Sequence, residues 1–266
     1  MPPVTRGQDQ EAMKAEQDVK ITLYWLEKSR SQRILWLLEE LHLPYTLKTH
    51  KREHQLAPPS LQQIHPLGKS PLITISTAAR PTPLVLAESA FIVEYLIEHF
   101  GPGLAPARYA AGTKEGEVEV GAETEAWMRY RYYMHFAEGS LMPFLVVALV
   151  MSNIKSSSPF FIRPLAAMIT GAVESKFLHP NLQRQFDFLE SQIATSPSGG
   201  DFLCGKDLSG ADIMMSFPLG AAKRAGLFAE KEHPKLCAYV DRLDATEGSK
   251  RAVQKIVELE GSCEEL

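Results

Sequence analysis

Residues 64–89 constrain the fold of this chain more than any other stretch. Ile64-His65-Pro66-Leu67-Gly68-Lys69-Ser70-Pro71 leads into the short apolar run Leu72-Ile73-Thr74-Ile75. The chain then turns through Pro81 and Pro83 and arrives at Leu84-Val85-Leu86-Ala87-Glu88-Ser89. Loop, strand, turn, strand and helix start follow one another. Proline has no N–H to give to a strand ladder, so Pro71 must stand at the entry to its strand and marks a turn into it. X-Pro bonds in folded proteins are mostly trans, and trans is the expectation for Ser70-Pro71. Were it cis, the bend would turn the N–H and C=O of Ser70 outward, an edge on which a short peptide can pair as an added strand. Glu88-Ser89 opens the apolar-rich helix Ala90 to Phe100, which ends at Gly101-Pro102 as helices commonly do. The unpaired N–H groups of its first turn suit a carboxylate.

Upstream, Lys20-Ile21-Thr22-Leu23-Tyr24-Trp25 alternates as a strand. Ile34, Leu35, Leu37, Leu38 and Leu41 recur at helical spacing, and Tyr45-Thr46-Leu47-Lys48-Thr49 reads as a second strand. Strand, helix and strand with a helix of about twelve residues between them make a right-handed parallel unit. Residues 61–64 form a short helix. The expected organisation is an N-terminal extension without regular structure (1–19), an α/β domain (20–100), a Gly-, Ala- and Glu-rich linker (101–121) and an all-helical domain (122–266). In the helical part, a long helix over 123–151 is kinked at Pro143, and further helices occupy 160–177, 181–194, 211–224, 235–245 and 249–260. Ser209-Gly210-Ala211-Asp212 has the Ser-x-x-acid pattern of a capping box.

The order βαβ then ββα resembles the thioredoxin-like fold. The paired motifs, His-Pro-x-Gly-Lys-x-Pro-x-Ile before Glu-Ser at a helix start, resemble the glutathione-binding half of the glutathione S-transferase family. The Ser/Thr-x-x-Asp box recurs in that family's helical half, so the resemblance covers about residues 20–260. Trp25-Leu26, Ser29-Arg30, Ile64 to Gly68 and Gly139-Ser140-Leu141 before Pro143 are similar to a fungal, yeast-type branch. The resemblance implies a thioredoxin-like α/β domain followed by an all-α domain, and a homodimer. It also implies glutathione as co-substrate and a hydrophobic electrophile as its partner, conjugated in detoxification.

Glutathione carries a thiol with a pKa near 8.5, mostly protonated at neutral pH, so a transferase must favour the thiolate. A hydroxyl or N–H aimed at sulfur from a helix N-terminus does this, because it stabilises only the charged form. The resemblance places the family's serine at Ser29 and its tyrosine at Tyr24. Ser29 is favoured, Tyr24 is the alternative, and a backbone N–H or a water is a third possibility. From the residues alone, Ser29 with Gln32 also fits a helix N-cap and Tyr24 a packed strand aromatic. By the same resemblance Glu88 and Ser89 take the γ-glutamyl amine and carboxylate, and Ser70 with Pro71 takes the cysteinyl unit. Lys69 with His54 takes the glycine carboxylate. The electrophile is expected against the long helix carrying Trp127, Tyr130, Tyr133, Met134 and Phe136, although aromatic stripes at helical spacing are more often core.

Other chemistries find less support. A net charge of −4 and the lack of a polybasic run argue against nucleic acid. Cys204, Cys237 and Cys263 have neither redox-motif nor metal-ligand spacing, and read as free thiols of a reducing, cytoplasmic compartment. No metal site is expected. His50-Lys51-Arg52-Glu53-His54 has the letters of an inverted zinc-peptidase motif but follows a strand and lacks helical periodicity. The apolar run 141–151 contains Pro143 and falls short of the ~20 residues of a membrane span, which predicts a buried helix rather than an integral membrane segment. Residues 1–19 have no apolar core for a secretory signal and too many acidic residues for a mitochondrial presequence, so neither is expected, and the glutamates after Cys263 argue against prenylation.

Overall fold

The computed structural model describes residues 19–113 and 119–261. The expectations for 1–18, for part of the linker and for Cys263 lie outside the described residues. The chain divides into two compact units. Among the described residues, one is made of 19–95 together with 251–261, and the other lies within Leu96–Lys250. The segment from Arg251 on, grouped by sequence with the helical domain, therefore belongs to the first unit by its contacts.

In the first unit, β1 (Lys20–Leu26), α1 (Ser31–Glu40), β2 (Tyr45–His50), β3 (Leu72–Ser76) and β4 (Leu84–Ala87) are followed by α2 (Ser89–Phe100), which begins in this unit and ends in the second. The four strands form one sheet in the order β2-β1-β3-β4. β1 runs parallel to β2, with Leu26 opposite His50, and antiparallel to β3, with Tyr24 opposite Leu72. β4 pairs antiparallel with β3, with Ala87 opposite Leu72. β1 is interior and buried on both faces: Ile21, Leu23 and Trp25 project one way, while Tyr24 and Leu26 pack with Leu61 and Leu72 on the other. A single 3₁₀ turn, Pro59–Gln63, delivers Leu61 to that cluster. The C-terminal segment is fastened by Trp25 Nε1 donating to Glu260 Oε1 at 2.6 Å and Arg251 Nη2 donating to the Glu39 carbonyl at 2.7 Å.

The second unit holds α3 (Glu125–Phe136), α4 (Met142–Ser157), α5 (Arg163–Val173), α6 (His179–Ala194), α7 (Gly210–Arg224) and α8 (Pro234–Asp244). α9 (Glu247–Glu260) begins in it and ends in the first. A wide π-turn, Ala137–Leu141, joins α3 to α4 two residues before Pro143. A second, Glu174–Leu178, joins α5 to α6 two residues before Pro180. Proline cannot supply the next N–H of an i→i−4 ladder, and both helices widen by one residue where the ladder must fail. The expected discontinuity at Pro143 is thus a π-turn just ahead of it. The helical stretch Glu125–Ser157 is consequently continuous, and by length and composition apolar enough to cross a membrane, with a third of its most apolar window buried. The expectation of a buried helix fails here, since α4 buries only Met142 and Leu145.

The capping box is present at α7. Asp212 is fully buried and accepts from Leu203 N (3.0 Å), Ser209 N (2.9 Å), Ser209 Oγ (2.6 Å) and Tyr239 Oη (2.7 Å). One carboxylate thereby ties the 203–209 loop, the start of α7 and the middle of α8.

Candidate functional site

Strand direction gathers the candidate residues. The C-terminal ends of β1, β2 and β4 and the N-terminal end of β3 all lie at one edge of the sheet. Reading across that edge, His54 follows β2, Ser29 follows β1, Ser70-Pro71 precedes β3 and Glu88-Ser89 follows β4. Neighbouring strands are about 4.8 Å apart, so β1 to β4 spans about 10 Å. An extended tripeptide has the same length.

The Ser70–Pro71 bond is cis, where trans was the expectation. Among the described residues no backbone hydrogen bond outside the regular elements engages Ser70. Gly68 ends the preceding loop with φ +57° and donates to the His65 carbonyl at 2.8 Å; a Cβ there would also sit 2.5 Å from Gln62 Cγ. Glycine is required at that position to bring Lys69 and Ser70 to the edge.

Three serines meet at the centre. Ser29 Oγ donates to the Leu26 carbonyl at 2.7 Å and accepts the Ser31 N–H at 3.2 Å. It lies 2.8 Å from Ser31 Oγ and 3.3 Å from Ser70 Oγ. Ser31 Oγ also contacts Ser70 Oγ and accepts the Leu26 N–H at 3.4 Å. Ser29 and Ser31 are buried, while Ser70 is half-buried and reaches the surface. The Ser29–Gln32 cap does not form: α1 begins at Ser31 without a side-chain cap, and Gln32 Oε1 is buried without a hydrogen-bond partner. Ser29 instead caps its own loop, which turns its hydroxyl toward Ser70.

Tyr24 is equally buried but faces elsewhere. Its hydroxyl lies 3.5 Å from Thr74 Oγ1, and its ring sits beside His50 and under Lys48 Nζ at 5.5 Å. Thr74 is two residues further from the edge than Leu72, a displacement of about 7 Å back along the sheet. The tyrosine hydroxyl therefore leans away from the residues that Ser29 joins.

At the far strand, Glu88 is exposed with φ +73° and Ser89, the first residue of α2, is buried. The Glu88 carbonyl accepts the Ile92 N–H at 2.9 Å, so the N–H groups of Ser89, Ala90 and Phe91 form the unpaired first turn. Lys69 and His54 are both exposed, the latter at φ +50° in a tight turn closed by the Glu53–Leu56 bridge.

Arg52, which the sequence did not single out, holds this edge together. Its Nη2 donates to the Lys28 carbonyl (2.9 Å), Nε to the Glu27 carbonyl (3.3 Å) and Nη1 to the Gln55 carbonyl (3.1 Å), while its N–H donates to Glu27 Oε1 at 2.6 Å. The loop before Ser29 and the turn bearing His54 are thus clamped by one guanidinium, whose pKa burial lowers against the opposing pull of Glu27. Ser31 was missed as well. The only sequence signal for it was a third hydroxyl two residues after Ser29.

The letters His50 to His54 make no zinc site. His50 ends β2 and bonds Ser60 Oγ through Nδ1 at 2.9 Å, while His54 lies in the turn beyond, so the imidazoles share no helical face. Among the described residues no three His, Cys, Asp or Glu side chains form a metal-binding group. Cys204 and Cys237 are free and buried, and burial pushes both thiols up, which leaves them poor nucleophiles.

In the helical unit, Tyr130, Tyr133, Met134 and Phe136 of α3 are buried. Tyr133 and Phe136 meet edge to face at 6.0 Å, and burial raises the Tyr133 hydroxyl pKa well above its usual value. Trp127 is half-buried beneath the Arg108 guanidinium at 4.8 Å. The open side of α3 is a shallow groove of about 460 Å³ lined by Met128, Arg131, Tyr132, His135, Phe136, Gly139 and Ser140. Of the five expected electrophile contacts only Phe136 borders it. The spacing 130, 133, 134, 137 turns toward α7, and the accessible stripe is offset by one residue.

Residues 29–99 match the glutathione S-transferase N-terminal domain family and residues 163–247 the glutathione S-transferase C-terminal domain family. Glutathione S-transferase 1 of Saccharomyces cerevisiae is 33% identical over 237 residues, which cover 88% of this chain and 94% of that one. The chain belongs to the glutathione S-transferase family. Glutathione S-transferase 3 of Schizosaccharomyces pombe is also 33% identical, over 77% of this chain and 75% of its own. A Sulfitobacter glutathione transferase homolog solved with bound glutathione superposes with a TM-score of 0.63 at 18% identity, over 89% of this chain and 98% of that one. As a member of the family the protein is a glutathione transferase, with an α/β glutathione-binding domain followed by a helical one.

Proposed function

We propose that this glutathione transferase conjugates the glutathione thiolate to hydrophobic electrophiles, with Ser29 as the hydrogen-bond donor to sulfur. The observation that carries the reading is the convergence of Ser29, Ser70-Pro71 and Glu88-Ser89 on one sheet edge, over a β1-to-β4 span about as long as an extended tripeptide. Glu88 takes the γ-glutamyl ammonium, and Ser89 with the first-turn N–H groups of α2 takes its carboxylate. The backbone of Ser70 beside Pro71 pairs with the cysteinyl unit as an added strand. Lys69 with His54 neutralises the glycine carboxylate. The thiol loses its proton to water, a hydroxyl of the serine cluster holds the anion, and the sulfur lone pair attacks the electrophilic carbon as the leaving group departs or the double bond opens. The reaction so described requires no metal. The electrophile lies against the open stripe of α3, where Met128, Tyr132 and Phe136 give an apolar surface. The same reading makes the protein a cytoplasmic, detoxifying homodimer.

A second reading has a specific observation in its favour. The Ser29 hydrogen is directed at the Leu26 carbonyl rather than outward, as in a module that binds glutathione without turnover. Passing the purified chain over immobilised glutathione and then assaying it against aryl halides and α,β-unsaturated carbonyls separates the two. Retention with glutathione-dependent loss of at least one electrophile supports the transferase. Retention without conjugation across the panel replaces it with the binding module.

A further inference from the structure

An extended exposed apolar surface lies on α4 and α5 of the helical unit. On α4, Val146, Leu149, Val150 and Ile154 are exposed and recur at i, i+3, i+4 and i+8, one outward stripe. On α5, Leu165, Met168 and Ile169 form a second such stripe, and only Ala166 and Thr170 of that helix are buried. α4 packs on α5 and on the π-turn that follows it, where Phe144 meets Phe177 at 5.6 Å and Lys155 Nζ donates to Glu174 Oε1 at 2.7 Å. The loop between them presents Phe160 and Phe161, 81% and 70% exposed and in edge-to-face contact at 5.5 Å. Side chains of this kind in water need a covering.

The charges indicate what covers them. Residues 142–178 contain three basic side chains, Lys155, Arg163 and Lys176, and one acidic one, Glu174, a net of +2 in a chain of −4. Glu174 is held by Lys155, so Arg163 and Lys176, both exposed, set the sign of the patch. A second copy docked on this face about a two-fold axis would set the patch against itself, cation toward cation with no acid to answer. An anionic lipid surface answers the cations with headgroups and the aromatic and aliphatic side chains with acyl chains. Met142 and Leu145 of α4, like Ala166 and Thr170 of α5, are held by the protein, so these helices lie along such a surface rather than cross it.

We propose that α4, α5 and the Phe160-Phe161 tip form a docking face for an anionic lipid bilayer. The test is flotation of the full chain with phosphatidylserine-containing vesicles and with phosphatidylcholine vesicles. The chain floats with the former and stays behind with the latter. K176Q and R163Q each weaken partition about fivefold, the effect of removing one cation at such a surface, and added salt weakens it too. The double variant F160S/F161S does not float, while its unfolding midpoint is unchanged because both rings already face solvent. No flotation on anionic vesicles, equal flotation on both lipids, or a double variant that floats like the parent overturns the proposal. So does a parent dimer that sediments as monomers in F160S/F161S, which would make a second copy the covering.

Discussion

Replacing Ser29 by alanine tests the chemistry directly, and the structure sets the size of the effect. In the ligand-free geometry the Ser29 hydrogen is given to the Leu26 carbonyl at 2.7 Å. Serving a thiolate means surrendering that neutral hydrogen bond, which contributes about 0.5–1.5 kcal/mol, for a charge-assisted one of about 1.5–3 kcal/mol. The net is about 1–1.5 kcal/mol, or roughly one pKa unit. S29A should therefore raise the pKa of the bound glutathione thiol by about one unit, a smaller shift than a hydroxyl poised outward would give. The measurement is ultraviolet thiolate absorbance of bound glutathione across a pH titration, in the parent, S29A and Y24F. At neutral pH the thiolate fraction and kcat/KM in S29A fall together, by up to about tenfold. If S29A leaves the thiol pKa where it was and Y24F raises it, the tyrosine is the donor and the serine reasoning is refuted.

Two further outcomes follow from the same geometry. D212A orphans four donors, from Leu203, Ser209 (two) and Tyr239, at a buried site. It should destabilise the protein by about 3–5 kcal/mol, seen as a fall of roughly 10 °C in the thermal midpoint; a loss below about 1 kcal/mol would show that the box is dispensable. Burial, aided by the charge of Lys48, lowers the His50 pKa, so below about pH 6.5 the unfolded chain binds a proton there that the folded one resists. Stability conferred by neutral His50 is thus present above that pH and is lost as pH falls toward the folded value; chemical denaturation of H50Q should show a shallower acid-side decline, and an unchanged slope would contradict it.

The periodicity of residues 20–100 carried the sheet and its flanking helices because each strand and helix there pairs a hydrophobic period with a turn residue or cap that ends it. The placement of Ser29, Ser70 and Glu88-Ser89 at element ends was legible because loop chemistry is local: a serine before a helix, a proline before a strand and an acid at a helix start are fixed by neighbours in sequence. Ser31 and Arg52 were not legible. Ser31 acts through a residue 39 positions away, and Arg52 through backbone carbonyls on a different strand's loop. The aromatic stripe of α3 shows the same limit. Spacing established that Tyr130, Tyr133 and Met134 share a face, but which face meets the core is decided by the packing of α7.

The amino-acid order alone therefore determined the family, the two-part architecture and the sheet edge at which the candidate residues gather, since motif, period and cap are all short-range properties of the chain. Tertiary structure decided the rest. It set the cis geometry at Pro71, the inward aim of the Ser29 hydroxyl and the retreat of Tyr24 toward Thr74. It also turned the apolar run of α4 outward, where sequence had buried it. Hydrophobicity specifies that a side chain avoids water, whereas only the packing of distant elements specifies which surface is left to face it.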